Sequence, residues 1–245
     1  MPEGDDFYCS MRQLYANETE GTNYTKEWYR HRWRYETSKN YPDENTTCIM
    51  APHGGGIESG TTELALATAG FTDGFNNHPA ASETYDYFIF NGTNPTNQNG
   101  KLHVTASNFN DPAAIELVQR SVISLAFHGC TDEQPDESTG IGYKACLIGG
   151  RDENFKDVLE IQLTGAGFNA YKTKQESLNG DLRANIINRN KQNAGAQFEL
   201  TTTFRKSLYG VNNRKDRRTS TNADFWLFVN TIRASIKQHR ILLAI

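Results

Sequence analysis

Short apolar runs that stop at glycine, each followed by a stretch of helix formers, constrain this chain more than any other feature. Residues 46–51 are apolar and end at Pro52-His53-Gly54-Gly55-Gly56; residues 61–69 then read as a helix with Gly70 as its stop. The pattern recurs. Strands are expected over residues 85–90, 102–106, 122–127, 144–148, 167–171 and 196–201, and helices over 112–119, 155–164 and 223–239. Asp111 and Pro112 suit the cap and first turn of one helix. In the last, Phe225, Phe228, Val229, Ile232 and Ile236 share a face. Strands alternating with helices place the chain in the α/β class, with a central mixed, largely parallel sheet flanked by helices. No linker interrupts the pattern, so residues 1–245 are expected to form a single domain, with residues 1–45 a polar N-terminal extension packed on it. Within that extension the aromatic and basic patch at residues 28–35 is compatible with a helix.

At 245 residues the chain can bury a sizeable core. It has no run of eighteen apolar residues, which excludes a helical membrane span. The net charge of −4 argues against general nucleic-acid binding. The distribution says more than the sum: from Arg183 onward 12 Lys and Arg stand against 3 Asp and Glu. Such asymmetry can focus a field on an anionic partner, or residues 214–218 can simply be a solvated loop. The first ten residues lack the layout of a signal peptide. Four cysteines (Cys9, Cys48, Cys130, Cys146) and sequons at Asn17, Asn23, Asn45 and Asn91 favour a secreted, extracellular glycoprotein whose leader has already been removed. A cytoplasmic protein with four reduced thiols is the alternative. Pairing by nearness in sequence gives Cys9–Cys48 and Cys130–Cys146.

The unusual polar residues sit at strand ends, where ligands bind in open α/β sheets. His53 and His128 each follow an apolar run and precede glycine. Glu58 can return to His53 across the triple glycine. Two histidines and a carboxylate form the protein half of many hydrolytic zinc sites; a hydrogen-bonded polar cluster without metal is the other reading. The triple glycine lacks the Gly-Lys-Ser/Thr ending of a phosphate loop. Glu199 interrupts the apolar run Gln197-Phe198-Glu199-Leu200. There it is either a general base beside the site or a carboxylate on the solvent face of an edge strand.

Ordered motifs add a resemblance. Residues 51–65, from Ala51-Pro52-His53-Gly54-Gly55-Gly56-Ile57-Glu58-Ser59-Gly60 onward, are followed by Leu102-His103-Val104-Thr105-Ala106-Ser107, by residues 124–129 around His128, and by Leu147-Ile148-Gly149-Gly150. Last come Asn185-Ile186-Ile187-Asn188-Arg189 and Gly195-Ala196-Gln197-Phe198-Glu199-Leu200. Over residues 46–205 this order resembles the phage poly-γ-glutamate hydrolases. The resemblance implies a zinc carboxypeptidase-like fold and zinc-dependent cleavage of γ-glutamyl amide bonds. It implies His53, Glu58 and His128 as zinc ligands, Glu199 as general base, Arg189 as an anion-binding arginine and His103 as a cleft contact. Asn188 lies in the same motif as Arg189. Arg183, Lys191 and Arg205 would extend a positive surface along the substrate. The expected partner is an anionic γ-linked glutamate polymer or oligomer, met by a monomer without nucleic acid or membrane. A zinc deacylase of small N-acyl amino acids, or a non-catalytic polyanion-binding protein on the same fold, are the alternatives. The cysteines, the N-terminal 45 residues and residues 132–142 have no counterpart in the resemblance.

Overall fold

Six of the seven runs expected as strands form them. A computed structural model of the chain describes residues 6–30, 47–72, 75, 83–135 and 143–243. Seven strands make one sheet: β1 (Tyr24–Tyr29), β2 (Thr47–Gly55), β3 (Asp86–Gly92), β4 (Ile123–Gly129), β5 (Cys146–Gly150), β6 (Ala170–Lys172) and β7 (Ala196–Leu200), in the spatial order β1-β3-β2-β4-β7-β5-β6. β3, β2, β4 and β7 run parallel, and β6 runs parallel to β5. β1 and β5 enter antiparallel to β3 and β7. The sheet is therefore mixed and largely parallel, as expected.

Helices cover both faces because the central strands are buried on both. α2 (Thr61–Ala69), α4 (Glu153–Gly165) and α6 (Ala223–Leu242) pack on one face, where Ile49, Leu125, Phe127, Phe198, Phe228 and Ile232 share a core. α1 (Met11–Asn17) and α3 (Pro112–Arg120) serve the other face, with Met50, Phe88, Phe90 and Phe109. Asp111 caps α3 through the amides of Ala113 and Ala114, as its position before Pro112 leads one to expect. The short α5 (Thr202–Ser207) follows β7 directly. No helix among the described residues is long and apolar enough to cross a membrane.

Several expectations need correction. Residues 102–106 are not a strand; a single 3-10 turn, Gly100–Leu102, is followed by an irregular loop. Trp28 and Tyr29 belong to edge strand β1, not to a helix, while residues 31–35 lie outside the described residues, as do Asn45 and 136–142. All four cysteines are free thiols. Cys48 points into the core beneath α1 and α3 while Cys9 is exposed. Cys146 faces the α2–α4–α6 core, whereas Cys130 packs with Leu147 on the opposite face, and β7 separates their strands. Neither expected bridge is formed. The Asn91 sequon is also spent: its side chain is buried, donating to Glu27 and accepting from Thr62.

Candidate active site

The site lies at the carboxyl ends of β2, β4 and β7, on the face opposite α2 and α6. Register puts it there. His128 pairs with Glu199 across β4 and β7. In β7, Ala196, Phe198 and Leu200 enter the α2–α4–α6 core, so Glu199 projects to the other side. Glu199 is nonetheless buried, which rules out the solvent-face reading.

Glu58 returns to His53 because the chain turns sharply after β2. Gly55 has φ +67°, a conformation open to glycine, and a Cβ there would lie 2.5 Å from the Gly92 carbonyl. The Glu58 amide then donates to the His53 carbonyl at 2.8 Å. Its carboxylate accepts from the Gly129 amide through Oε2 at 2.9 Å and lies 2.9 Å from His53 Nδ1 through Oε1. His128 Nδ1 is 3.1 Å from His53 Nδ1 and 3.6 Å from Glu58 Oε2.

This donor set fits a cation. His53 Nε2 lies 2.8 Å from the Val104 carbonyl, an acceptor, so the ring proton sits on Nε2 and neutral His53 presents a bare Nδ1. That bare nitrogen faces a carboxylate oxygen and a second imidazole nitrogen, all within hydrogen-bond distance. If His128 also presents a bare Nδ1, three lone-pair donors converge on one point, an arrangement that suits a cation. Ligand atoms at about 2.0–2.1 Å around a tetrahedral zinc stand roughly 3.3 Å apart, close to the separations here. His103 is near as well: one ligand atom each from His53, Glu58 and His103 lie within 4.8 Å of one another.

The two carboxylates have opposite environments. Burial alone pushes the Glu58 carboxyl up, but His53 and His128 more than offset it and hold it well below the usual carboxylate range. Burial, and then the charge of Glu58, push Glu199 well above that range, against the opposing influence of His103 and Arg205. Gln197 Nε2 donates to Glu199 Oε1 at 3.0 Å and fixes its rotamer. A pair of carboxyls driven apart in this way separates a permanently ionised group from one suited to carry a proton.

The expected arginines are positioned otherwise than sequence reading had them. Arg205 is buried, not on a substrate surface. It donates to the carbonyls of Leu200, Ser59 and Cys130 at 3.0, 2.8 and 3.1 Å, joining the three segments that carry Glu199, Glu58 and His128. Gly129 leaves room for it: a Cβ there would fall 2.5 Å from Arg205 Nε. Arg189 donates through Nε and Nη2 to the carbonyls of Ala184 and Ser107 at 2.9 Å each and braces two loops. Asn188 is consumed as well, donating to Gly180 and Leu182 and accepting from the Gly195 amide. Arg183 and Lys191 are exposed.

The basic run 214–218 is solvated only in part: Arg214 and Lys215 are exposed, Arg217 is not. Arg217 is buried against Glu63 at 3.0 Å and donates to the Gly55 carbonyl at 3.1 Å, pinning the turn between His53 and Glu58. Arg214 donates to the carbonyls of Gly92 and Asn94, and Arg218 to Glu27. Sequence reading missed Asp6 entirely. Its carboxylate meets His103 Nδ1 at 2.7 Å and accepts from the Thr105 amide at 2.5 Å. Nothing in the polar N-terminal stretch distinguishes it.

Comparison with known proteins accords with this geometry. Residues 8–231 match the family described as poly-gamma-glutamate hydrolase. The SPbeta prophage-derived protein YoqZ of Bacillus subtilis (strain 168) is 28% identical over 192 residues, 78% of this chain and 62% of that protein. YmaC and YndL of the same strain are also 28% identical, over 83% and 75% of this chain and 77% and 64% of theirs. The matched part thus spans less than two thirds of the length of two of these relatives. A bacteriophage poly-gamma-glutamate hydrolase structure has the same fold, with a TM-score of 0.78 at 24% identity, covering 97% of this chain and 99% of the other. A zinc-free, apo structure of YNDL also superposes with a TM-score of 0.78, at 25% identity over 96% of this chain and 99% of that one.

Proposed function

This chain belongs to the poly-gamma-glutamate hydrolase family, and on that premise we propose that it is a zinc-dependent hydrolase of γ-glutamyl amide bonds in an anionic glutamate polymer. The observation that carries the metal is the bare Nδ1 of His53 facing Glu58 Oε1 and His128 Nδ1 at 2.9 and 3.1 Å. His53, Glu58 and His128 would hold the ion. Zinc held there supplies Lewis acidity toward the scissile carbonyl and toward water.

The protein groups then have separate tasks. Glu58 stays ionised and balances the charge of the site. Glu199, buried and aimed by Gln197, takes the proton of the attacking water and returns it to the leaving nitrogen. His103, with 38% of its side chain exposed, contacts the reacting amide from the cleft side. Arg205 holds the three carrier segments in register from below. Arg183 and Lys191, exposed, supply positive charge to the polymer, while Arg189 keeps the loop beside them in place.

Metal analysis of the purified protein, together with hydrolysis of poly-γ-glutamate before and after chelation, tests this reading. One zinc per chain and activity lost to chelator and restored by zinc are expected. An active preparation without stoichiometric metal would overturn the metal assignment. A zinc-loaded protein inert on γ-glutamyl polymers would overturn the substrate.

A further inference from the structure

Asp6 reaches His103 across nearly a hundred residues of sequence, and its surroundings define the contact closely. Its side chain is 4% exposed. Burying a carboxylate is costly unless its oxygens are satisfied. Here one oxygen meets His103 Nδ1 at 2.7 Å and the other accepts from the Thr105 amide at 2.5 Å. One carboxylate thus holds both the ring and the backbone two residues further on. A carboxylate accepts, so Nδ1 of His103 carries the ring proton and the neutral ring presents a bare Nε2. That nitrogen lies 3.8 Å from Glu58 Oε1, and the ring lies over His53 with centroids 4.0 Å apart.

The segment bearing Asp6 is firmly docked on the loop bearing His103. Tyr8 is buried and its hydroxyl donates to Glu18 at 2.5 Å. Glu18 also pairs with Lys101 at 2.7 Å, two residues before His103. The Arg12 amide donates to Asn110, and Tyr15 to Asp111 at 2.6 Å. Met11 and Leu14 are fully buried in the core beneath the same loop. Residues 6–18 and 101–111 are joined at both ends of the contact.

We propose that Asp6 is a positioning residue of the hydrolytic site, holding His103 in the Nδ1–H form with its bare Nε2 turned toward Glu58 to accept a hydrogen bond from the substrate amide or the attacking water. This rests on the hydrolase reading given above. It makes the N-terminal segment part of the site and not an accessory to it. An outer partner of this kind typically changes activity by ~10–100-fold when removed.

The test compares Asp6→Ala, Asp6→Asn, His103→Ala and the double variant Asp6→Ala/His103→Ala. Each is assayed for kcat and KM on poly-γ-glutamate, for zinc content, for Tm and, in the His103-containing proteins, for the ring tautomer by nitrogen–proton correlation NMR. Asp6→Ala should lower kcat roughly tenfold or more with zinc content unchanged, and the His103 ring should lose its single Nδ1–H form. Asp6→Asn, which keeps one acceptor, should fall between Asp6→Ala and wild type in both readouts. In the His103→Ala background the Asp6 change should have no further effect on kcat. An equal loss in both backgrounds, or an unaltered His103 tautomer in a folded Asp6→Ala or Asp6→Asn protein, would overturn the assignment. The tautomer arm is readable without turnover, so failure of the hydrolase reading, seen as wild type inert on the polymer, is distinguished from failure of the Asp6 contact.

Discussion

His53 Nδ1 and His128 Nδ1 lie 3.1 Å apart, with the other ring nitrogen of His53 tied to the Val104 carbonyl at 2.8 Å. The Glu58 carboxylate lies 2.9 Å from the inner nitrogen of His53 and 3.6 Å from that of His128, so on the zinc reading proposed above all three groups serve one ion. His53→Ala and His128→Ala should each lower zinc affinity by more than the ~10–100-fold typical of an outer partner, measured by competition with a chromogenic chelator. Zinc should also stabilise the wild type, by about 4 kcal/mol at a thousandfold excess over Kd, and should raise the Tm of either variant far less.

Glu199→Gln should retain the fold and the metal, because Gln can still accept from Gln197 and no ligand is touched. Turnover should fall by ~10²–10⁴. Near-normal kcat in a folded, zinc-loaded Glu199→Gln protein would assign the base elsewhere.

Arg189→Lys separates a brace from a substrate clamp. The three donor contacts of Arg189 to the Ala184 and Ser107 carbonyls cannot be reproduced by one ammonium group. A loss of about 1.5–3 kcal/mol is expected for hydrogen bonds from a charged donor, read as a fall in Tm of roughly 4–10 °C for a chain of this size. Activity on acidic and neutral amides should fall in parallel. A selective loss on acidic substrates with an unchanged Tm would restore the clamp.

Arg217 and Arg218 are adjacent in sequence and opposite in consequence. Arg217→Ala leaves Glu63 as an uncompensated buried carboxylate, which should cost about 3–5 kcal/mol and loosen the turn carrying Glu58. The paired change Arg217→Met/Glu63→Leu should recover much of that loss in chemical denaturation. Arg218→Ala removes a pair more than a third exposed on both sides and should cost at most ~1 kcal/mol.

The thiols give a pH-dependent prediction. Burial, then the charge of Glu199, push Cys130 up to about 12, and burial holds Cys48 and Cys146 well above the ordinary thiol value. At pH 8 only exposed Cys9 should react with a disulfide reagent in the native protein, and all four after denaturation. The sign for stability follows: a thiol raised by folding contributes stability that is complete below its ordinary value of 9.0 and lost as pH rises toward about 12. The Tm should therefore decline between those two limits, and intact mass without reductant should show four free thiols.

How far the sequence could be read depended on whether a residue's role was local. The β2–turn–α2 unit was legible because glycine, helix formers and a glycine stop follow one another within 25 residues. His53, Glu58, His128 and Glu199 were legible as a group because strand ends in a parallel sheet converge. Residues 102–106 were misread for an instructive reason. Leu102, Val104 and Ala106 are all buried, as alternation indicates, but their backbone is held by Asp6 and by the Ile186 amide instead of a neighbouring strand. Alternation reports burial and says nothing of the hydrogen-bond partner. The partners of the arginines were hidden in the same way. Charge is visible in a sequence, whereas the carbonyls that occupy Arg189 and Arg205 come from segments up to 146 residues away. Asp6 was invisible because its partner lies 97 residues further on.

Strand β7 lies between β4 and β5 although it follows both in the chain. A polypeptide emerging from the ribosome therefore has β4 and β5 waiting on either side of a gap, each with an unpaired edge, until residues 196–200 arrive to bridge them. Parallel pairing over such separations is a slow search. The same late strand brings Glu199 alongside His128 and is followed at once by Arg205, which ties together the segments carrying Glu58 and His128. Every shorter nascent chain thus lacks the strand that joins β4 to β5 and the pairing of Glu199 with His128. Closing the gap in the sheet and assembling the candidate site are therefore one event, after which α6 has still to dock on the opposite face.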